Sequence, residues 1–172
     1  MSNQPLRCAV IGVGHLGKWH AAKYAQLTDA ELVAVADSNP AAAQEVASRH
    51  GCRGVMDHRE LLGQVDAVSI AAPTTLHYAI ARDFLDTGCN VLLEKPITTT
   101  VEEAEELNQM AEERGLILQV GHLERFNAAL RRLLENPLNP LFIESTRLAP
   151  FKPRATDVSV VLDLMIHDID II

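Results

Sequence analysis

The chain has 172 residues, room for one domain or for one domain and part of another. With 48% hydrophobic and 22% charged residues it has an ordinary globular composition, which excludes a disordered chain. Its formal net charge of −8 argues against nucleic acid or an anionic membrane as the main partner, because both reward basic surface, whereas a small anion held by backbone amides stays compatible. The three cysteines, Cys8, Cys52 and Cys89, are odd in number and widely spaced. They read as reduced thiols of a cytoplasmic protein, not as a disulfide framework or a zinc site, and no metal is expected. Residues 1–5 are polar and lack the apolar core of a signal peptide, and no apolar run approaches the length of a membrane span.

The first apolar run, Leu6 to Ile11, predicts a buried strand. Gly12-Val13-Gly14-His15-Leu16-Gly17 follows it and opens a helix predicted from His15 to Leu27. A second apolar run, Leu32 to Ala36, leads to Asp37, twenty residues past Gly17. Each part has a physical task. Gly12 permits the tight strand-to-helix turn, Gly14 lets a pyrophosphate approach the backbone, and Gly17 lets the helix pack close to the strand. The helix N-terminus offers unpaired N–H groups to phosphate, and Asp37 is placed to accept hydrogen bonds from a ribose diol. Strand, glycines, helix and acid together predict a dinucleotide site. The alternatives are a glycine-rich turn that binds nothing, or one that binds a ligand such as S-adenosylmethionine.

Further apolar runs, near Cys52–Val55 and at Ala67–Ala71, Asn90–Leu93 and Leu116–Val120, alternate with helical stretches. Asn39-Pro40 supplies an N-cap and a proline at the first helical position. Asp57 with Glu60, and Thr100 with Glu103, have capping-box spacing, and Gly88 and Gly115 sit where helices should stop. This alternation predicts a parallel sheet with helices on both faces and a ligand at the carboxyl ends of its strands. Pro73-Thr74-Thr75-Leu76-His77 follows one such end, where its hydroxyls could cap the next helix or meet a ribose. His77 alone reads more readily as structural than catalytic. Glu94-Lys95-Pro96 follows another, which places Lys95 either as an acid–base or polarising group or as a surface lysine at a turn.

The pattern changes after Gly121. A helix is predicted from Glu124 to Glu135, a breaker at 136–140, a strand over Leu141–Leu148 and a helix from Asp157 to Ile172. Arg125, in Gly121–Asn127, could pair with an anionic substrate group or with Glu124 or another surface acid. The last helix is apolar nearly all round: Val158, Leu162, Met165, Ile169 and Ile172 form one face, and Val160, Val161, Leu164, Ile166 and Ile171 widen it. Such a helix is built for burial, which points to a longer protein or a partner chain. Its polar stripe is Ser159, Asp163, His167 and Asp170. Asp163 and His167, four apart, share a face and could serve as an acid–base pair or as a structural one.

These residues resemble the Gfo/Idh/MocA family of sugar and cyclitol dehydrogenases. The likeness is carried in order by the Gly12–Gly17 stretch, by Ala71-Ala72-Pro73-Thr74-Thr75-Leu76-His77, by Glu94-Lys95-Pro96 and by Asp163-Leu164-Met165-Ile166-His167-Asp168. Within the family, Gly121–Asn127 and the last helix look most like the branch that oxidises UDP-N-acetylglucosamine at C3. The resemblance implies an α/β fold: a Rossmann-type doubly wound parallel sheet over 1–121, followed over 122–172 by the truncated start of an α+β substrate domain. It implies NAD as cofactor, held by Gly12, Val13, Gly14, His15, Leu16, Gly17, Asp37, Ala72, Pro73, Thr74, His77, Glu94 and Lys95. The Asp37 charge, with no arginine in Ser38-Asn39, favours NAD over NADP. It implies a catalytic group of Lys95, Asp163 and His167. In it a sugar, nucleotide-sugar or cyclitol hydroxyl loses its proton to His167 or Lys95, while its carbon gives hydride to the nicotinamide. Arg125 and Asn127 are candidate substrate contacts. Homo-oligomers are expected only with a full second domain, and the alternative is a non-catalytic NAD-binding module that needs a partner chain. The stretch Asp157-Val158-Ser159-Val160-Val161 departs from the family, many of whose members are glycine-rich there.

Overall fold

The computed structural model describes residues 4–135, 139–148 and 158–172. Six strands, β1 (Leu6–Ile11), β2 (Ala30–Ala36), β3 (Arg53–Val55), β4 (Ala67–Ile70), β5 (Asn90–Leu93) and β6 (Leu118–Val120), form one parallel sheet of order β3-β2-β1-β4-β5-β6. The helices between them are α1 (Gly17–Tyr24), α2 (Pro40–His50), α3 (His77–Asp86) and α4 (Val101–Arg114). The strand order reverses between β1 and β4, and the crevice at their carboxyl ends is where such sheets bind ligands.

Side-chain alternation divides the core into two layers. Val10 and Val35 pack with Ala21, Val46 and Ala47 beneath α1 and α2. Their neighbours Ala9, Ile11, Ala34 and Ala36 join Val68, Ile70, Val91 and Leu93 against Phe84, Leu85 and Leu107 of α3 and α4. The predicted caps form. Asn39 Oδ1 accepts from Ala41 and Ala42, Thr100 Oγ1 accepts from the Glu103 N–H, and the Glu103 carboxylate takes the Thr99 N–H and hydroxyl. Gly115 ends α4 at φ 65°, a left-handed conformation suited to glycine. Asp57 caps a short 3-10 turn, His58–Leu61.

The second part departs from expectation in three places. The helix predicted over Glu124–Glu135 is two pieces, a 3-10 turn at Leu123–Phe126 and helix α5 (Ala128–Leu134). They part at Asn127, which leaves helical geometry to cap α5 through its side chain. Leu141–Leu148 forms no strand: its backbone pairs with none of the described strands, and its large apolar side chains are exposed. The last helix begins later than predicted, with a wide π turn at Val161–Met165 that runs into α6 (Ile166–Ile171); Asp157 lies outside the described residues. The apolar face of that segment is uncovered by described residues, with Val160, Val161, Met165, Ile169 and Ile172 all exposed.

No helix among the described residues is long and apolar enough to cross a membrane. All three cysteines are free thiols. Cys8 and Cys89 are buried, which pushes their thiols up to about 11 and about 12, while Cys52 is half-buried. The thiolate is the reactive form, so Cys52 is expected to be alkylated first by iodoacetamide near pH 8. Peptide mass mapping checks this, and prior labelling of Cys8 or Cys89 would contradict the placement.

Candidate active site at the carboxyl edge of the sheet

The glycine stretch turns at the end of β1 as its sequence demands. Gly12 has φ +81°, and a Cβ there would lie 2.8 Å from the Ala71 backbone. At Gly17 a Cβ would fall 1.7 Å from the Gly12 carbonyl oxygen, so α1 can start this close to β1 only with glycine. Gly14 differs: a Cβ there meets nothing within 4 Å. That open space over the start of a helix is what a pyrophosphate needs, and the fit to a dinucleotide rests on it. Asp37 sits beside the turn. One carboxylate oxygen accepts from the Val13 N–H at 2.8 Å and the other from the Asn39 N–H at 2.8 Å, so the acid clamps the loop it faces.

Two neighbouring strand ends complete the edge. After β4, Thr74 is buried within a 3-10 turn, Thr74–Leu76. His77 does not face the edge. It is 1% exposed, and its ring nitrogens lie 2.9 Å from the carbonyls of Pro96 and Ala72, so it ties the two loops together from behind. After β5, Glu94 is buried at 5% exposure with Oε1 2.9 Å from His20 Nε2. Lys95 Nζ donates to the Asp163 carbonyl at 2.7 Å and to Asp163 Oδ1 at 3.0 Å. The structure thus brings together the strand end and the final helical segment, 68 residues apart in the chain.

His167 follows one turn after Asp163. Its Nδ1 is buried without a hydrogen-bond partner among the described residues. Burial, then the charges of Lys95 and Arg147, hold this imidazole below its ordinary value, against weaker opposing pulls from Glu124 and Asp163. Around it run two forked ion pairs, Arg125 on Asp170 and Arg147 on Asp168. Each arginine holds its acid below the usual carboxylate range, chiefly by side-chain hydrogen bonding. The acid that Arg125 meets is therefore Asp170, not Glu124, and the Asn127 amide donates to Glu124. His122 Nδ1, also buried without a hydrogen bond among the described residues, lies 3.5 Å from Asp170 Oδ2. Sequence reading gave no role to Asp168, although it closes the Asp163–Asp168 motif, and missed His20, His122 and Arg147. For His20 a signal existed: with Tyr24 it forms an i, i+4 polar pair on the helix face that must pack on the sheet, opposite a serine inside the apolar run Ala67–Ile70.

Among the described residues no group of three His, Cys, Asp or Glu side chains could hold a metal ion. A parallel sheet of this order, with a glycine turn at its switch point and an acid closing β2, defines a Rossmann domain for a dinucleotide. The model of the GFO_IDH_MocA oxidoreductase family, described as an NAD-binding Rossmann fold, matches residues 6–122. The chain belongs to the Gfo/Idh/MocA oxidoreductase family. It is 46% identical over 167 residues to UDP-N-acetylglucosamine 3-dehydrogenase of Acidithiobacillus ferrooxidans, covering 96% of this chain and 53% of that protein. It is 36% identical over 143 residues to D-glucoside 3-dehydrogenase of Escherichia coli, covering 81% of this chain and 41% of that one. A solved structure of UDP-N-acetylglucosamine 3-dehydrogenase GnnA from A. ferrooxidans superposes with a TM-score of 0.90, covering 97% of this chain and 55% of that one. Scyllo-inositol dehydrogenase from Lactobacillus casei, solved with bound NAD(H) and scyllo-inositol, superposes with a TM-score of 0.71 at 28% identity, covering 77% of this chain and 41% of that one. The chain spans about half the length of these relatives.

Proposed function

We propose that this chain supplies the cofactor-binding and proton-transfer half of an NAD-dependent dehydrogenase acting on a secondary hydroxyl of a sugar, nucleotide sugar or cyclitol. The observation that carries the reading is the Lys95–Asp163 contact, made at a strand end beside the open glycine turn, with a depressed His167 one helical turn away. The 46% identity to a UDP-N-acetylglucosamine 3-dehydrogenase supports a nucleotide sugar.

Gly12, Val13, Gly14, His15, Leu16 and Gly17 would receive the pyrophosphate, and Asp37 the adenosine ribose. Ala72, Pro73, Thr74, Glu94 and Lys95 would line the rest of the cofactor site, with His77 bracing their loops. NAD when bound supplies the hydride acceptor. Lys95, held as a donor by Asp163, orients the substrate oxygen and favours its negative charge. His167, neutral at neutral pH, takes the hydroxyl proton. Arg125 and Asn127 stand at the rim where substrate would enter, so Arg125 would have to leave Asp170 to grip an anionic group.

Titration of the chain with NADH and NADPH, followed by nicotinamide fluorescence, tests the reading, and NADH is expected to bind selectively. Asp37→Ala should weaken NADH at least about tenfold, because it removes a diol acceptor and the clamp on Val13, and should narrow the rejection of NADPH. Unchanged affinities for both nucleotides would sink the ribose assignment. Absence of NADH binding by a folded chain would overturn the function.

A further inference from the structure

Glu94 ends β5 on the side of the sheet that faces α1, and a buried carboxylate must find a donor. Its partner is His20, whose Nε2 lies 2.9 Å from Glu94 Oε1. His20 Nδ1 lies 3.1 Å from Ser69 Oγ, and Ser69 Oγ lies 2.9 Å from the Tyr24 hydroxyl. Donors and acceptors in this chain can be assigned in one direction. A carboxylate only accepts, so His20 carries its proton on Nε2. When the ring carries that proton alone, Nδ1 is an acceptor, Ser69 donates to it, and Ser69 accepts from Tyr24. Burial pushes the Tyr24 phenol up, which keeps that end a donor. Across the carboxylate stands Gly121, where a Cβ would come within 3.1 Å of both oxygens, so a side chain there would push into Glu94.

Buried polar networks are weak sources of stability, since apolar side chains of similar volume fill such sites as well. What this one supplies is placement. It spans the helix that begins at the glycine turn, the middle of β4 and the end of β5, and the residue after Glu94 is Lys95. We propose that His20 is a positioning residue: through the ordered chain Tyr24, Ser69, His20, Glu94 it fixes the strand end from which Lys95 reaches Asp163. The consequence for NADH affinity rests on the NAD-binding reading above; the placement of Lys95 does not.

The test uses the chain itself. By nitrogen-15 NMR, His20 is expected to carry a proton on Nε2, and a ring protonated on Nδ1 alone would overturn the proposal. His20→Leu should shift the Lys95 Nζ resonance, whereas His20→Gln, whose terminal amide can donate to Glu94, should leave it in place. The same pair should separate in NADH affinity, with a loss of about tenfold for leucine and less than about threefold for glutamine. An unmoved Lys95 signal in His20→Leu, or equal effects of the two variants, would overturn the proposal. Should His20→Leu not fold, Ser69→Ala removes the partner of Nδ1 and is expected to shift the Lys95 Nζ resonance as well, and an unmoved signal there would count against the ordered chain. If the unaltered chain binds no NADH, the NAD reading falls on that result, and the tautomer and the Lys95 signal still decide the role of His20.

Discussion

Gly14→Ala is expected to leave the fold intact and remove dinucleotide binding, while Gly17→Ala is expected to destroy both. The two glycines stand three residues apart in the same turn, yet they meet different surroundings. A methyl group added at Gly14 would project into space that holds no atom within 4 Å and would strain no backbone. Replacing glycine at a compatible site stabilises by about 0.4–1 kcal/mol through the unfolded chain, so Tm should hold or rise slightly. The same methyl would stand where the pyrophosphate approaches the backbone amides, and NADH affinity should fall by about 5- to 150-fold, the overpacking cost being about 1–3 kcal/mol. At Gly17 the methyl would sit 1.7 Å from the Gly12 carbonyl oxygen, a distance no side-chain adjustment relieves because the obstacle is backbone. Helix α1 would have to move off β1, carrying Ala21 out of its layer of the core. Thermal unfolding followed by circular dichroism, with calorimetric titration of NADH, separates the two outcomes. A Gly14→Ala variant that binds NADH like the unaltered chain would show that the dinucleotide does not cross the turn there.

What could be read from the sequence is what short stretches decide by themselves. The glycine turn, the Asn39 and Thr100 caps and the glycine stop at 115 each depend on a few consecutive residues, and each formed. Asp37 was legible because strand β2 delivers it to the same edge as the turn, although its clamp on Val13 spans 24 residues and was not foreseen. Lys95 was legible from its strand end and Asp163 with His167 from their spacing of four, but only the family resemblance joined them, since no local pattern links a strand end to a helix 68 residues on. The His20–Ser69–Glu94 network shows the same limit from the other side: three polar residues in three elements become one system only when the sheet order is known.

The errors have physical causes as well. Leu141–Leu148 has the apolar content of a strand, but a strand exists only where a neighbour accepts its backbone hydrogen bonds, and none of the described strands pairs with it. Asn127 interrupts an otherwise helical stretch because its side chain satisfies the first free N–H groups of α5 better than it fits inside a helix. For Arg125 the sequence left open a substrate anion, Glu124 or another surface acid, and among acids the fold supplies one that no local pattern names. Asp170, 45 residues away and buried by the fold, offers it a forked hydrogen-bonding partner that an exposed neighbour does not.

Lys95→Met is expected to raise the pKa of His167 toward the ordinary imidazole value. In an enzyme completed by the second domain it should also lower turnover by about 10²–10³-fold, the usual worth of a donor aimed at a developing oxyanion. The sign follows from the surroundings of the ring. Burial disfavours the charged imidazolium first, and the Lys95 ammonium and the Arg147 guanidinium disfavour it further. At neutral pH His167 is therefore neutral and able to accept a proton. Oxidation of the substrate hydroxyl should rise with pH through a limb below 6.5 and then level. Removing the lysine charge relaxes one of the causes, so the limb moves up in pH while burial keeps it from returning fully. NMR titration of His167 in the present chain checks the shift without any substrate, and an unmoved value would mean that the two groups do not share a site. His167→Ala should lose the limb altogether along with most turnover. In both variants turnover should fall far more than NADH affinity, because these groups act on the substrate oxygen more than on the dinucleotide. If both variants turned over normally, the orienting role given to Lys95 and the base role given to His167 would be wrong, whatever the fold binds.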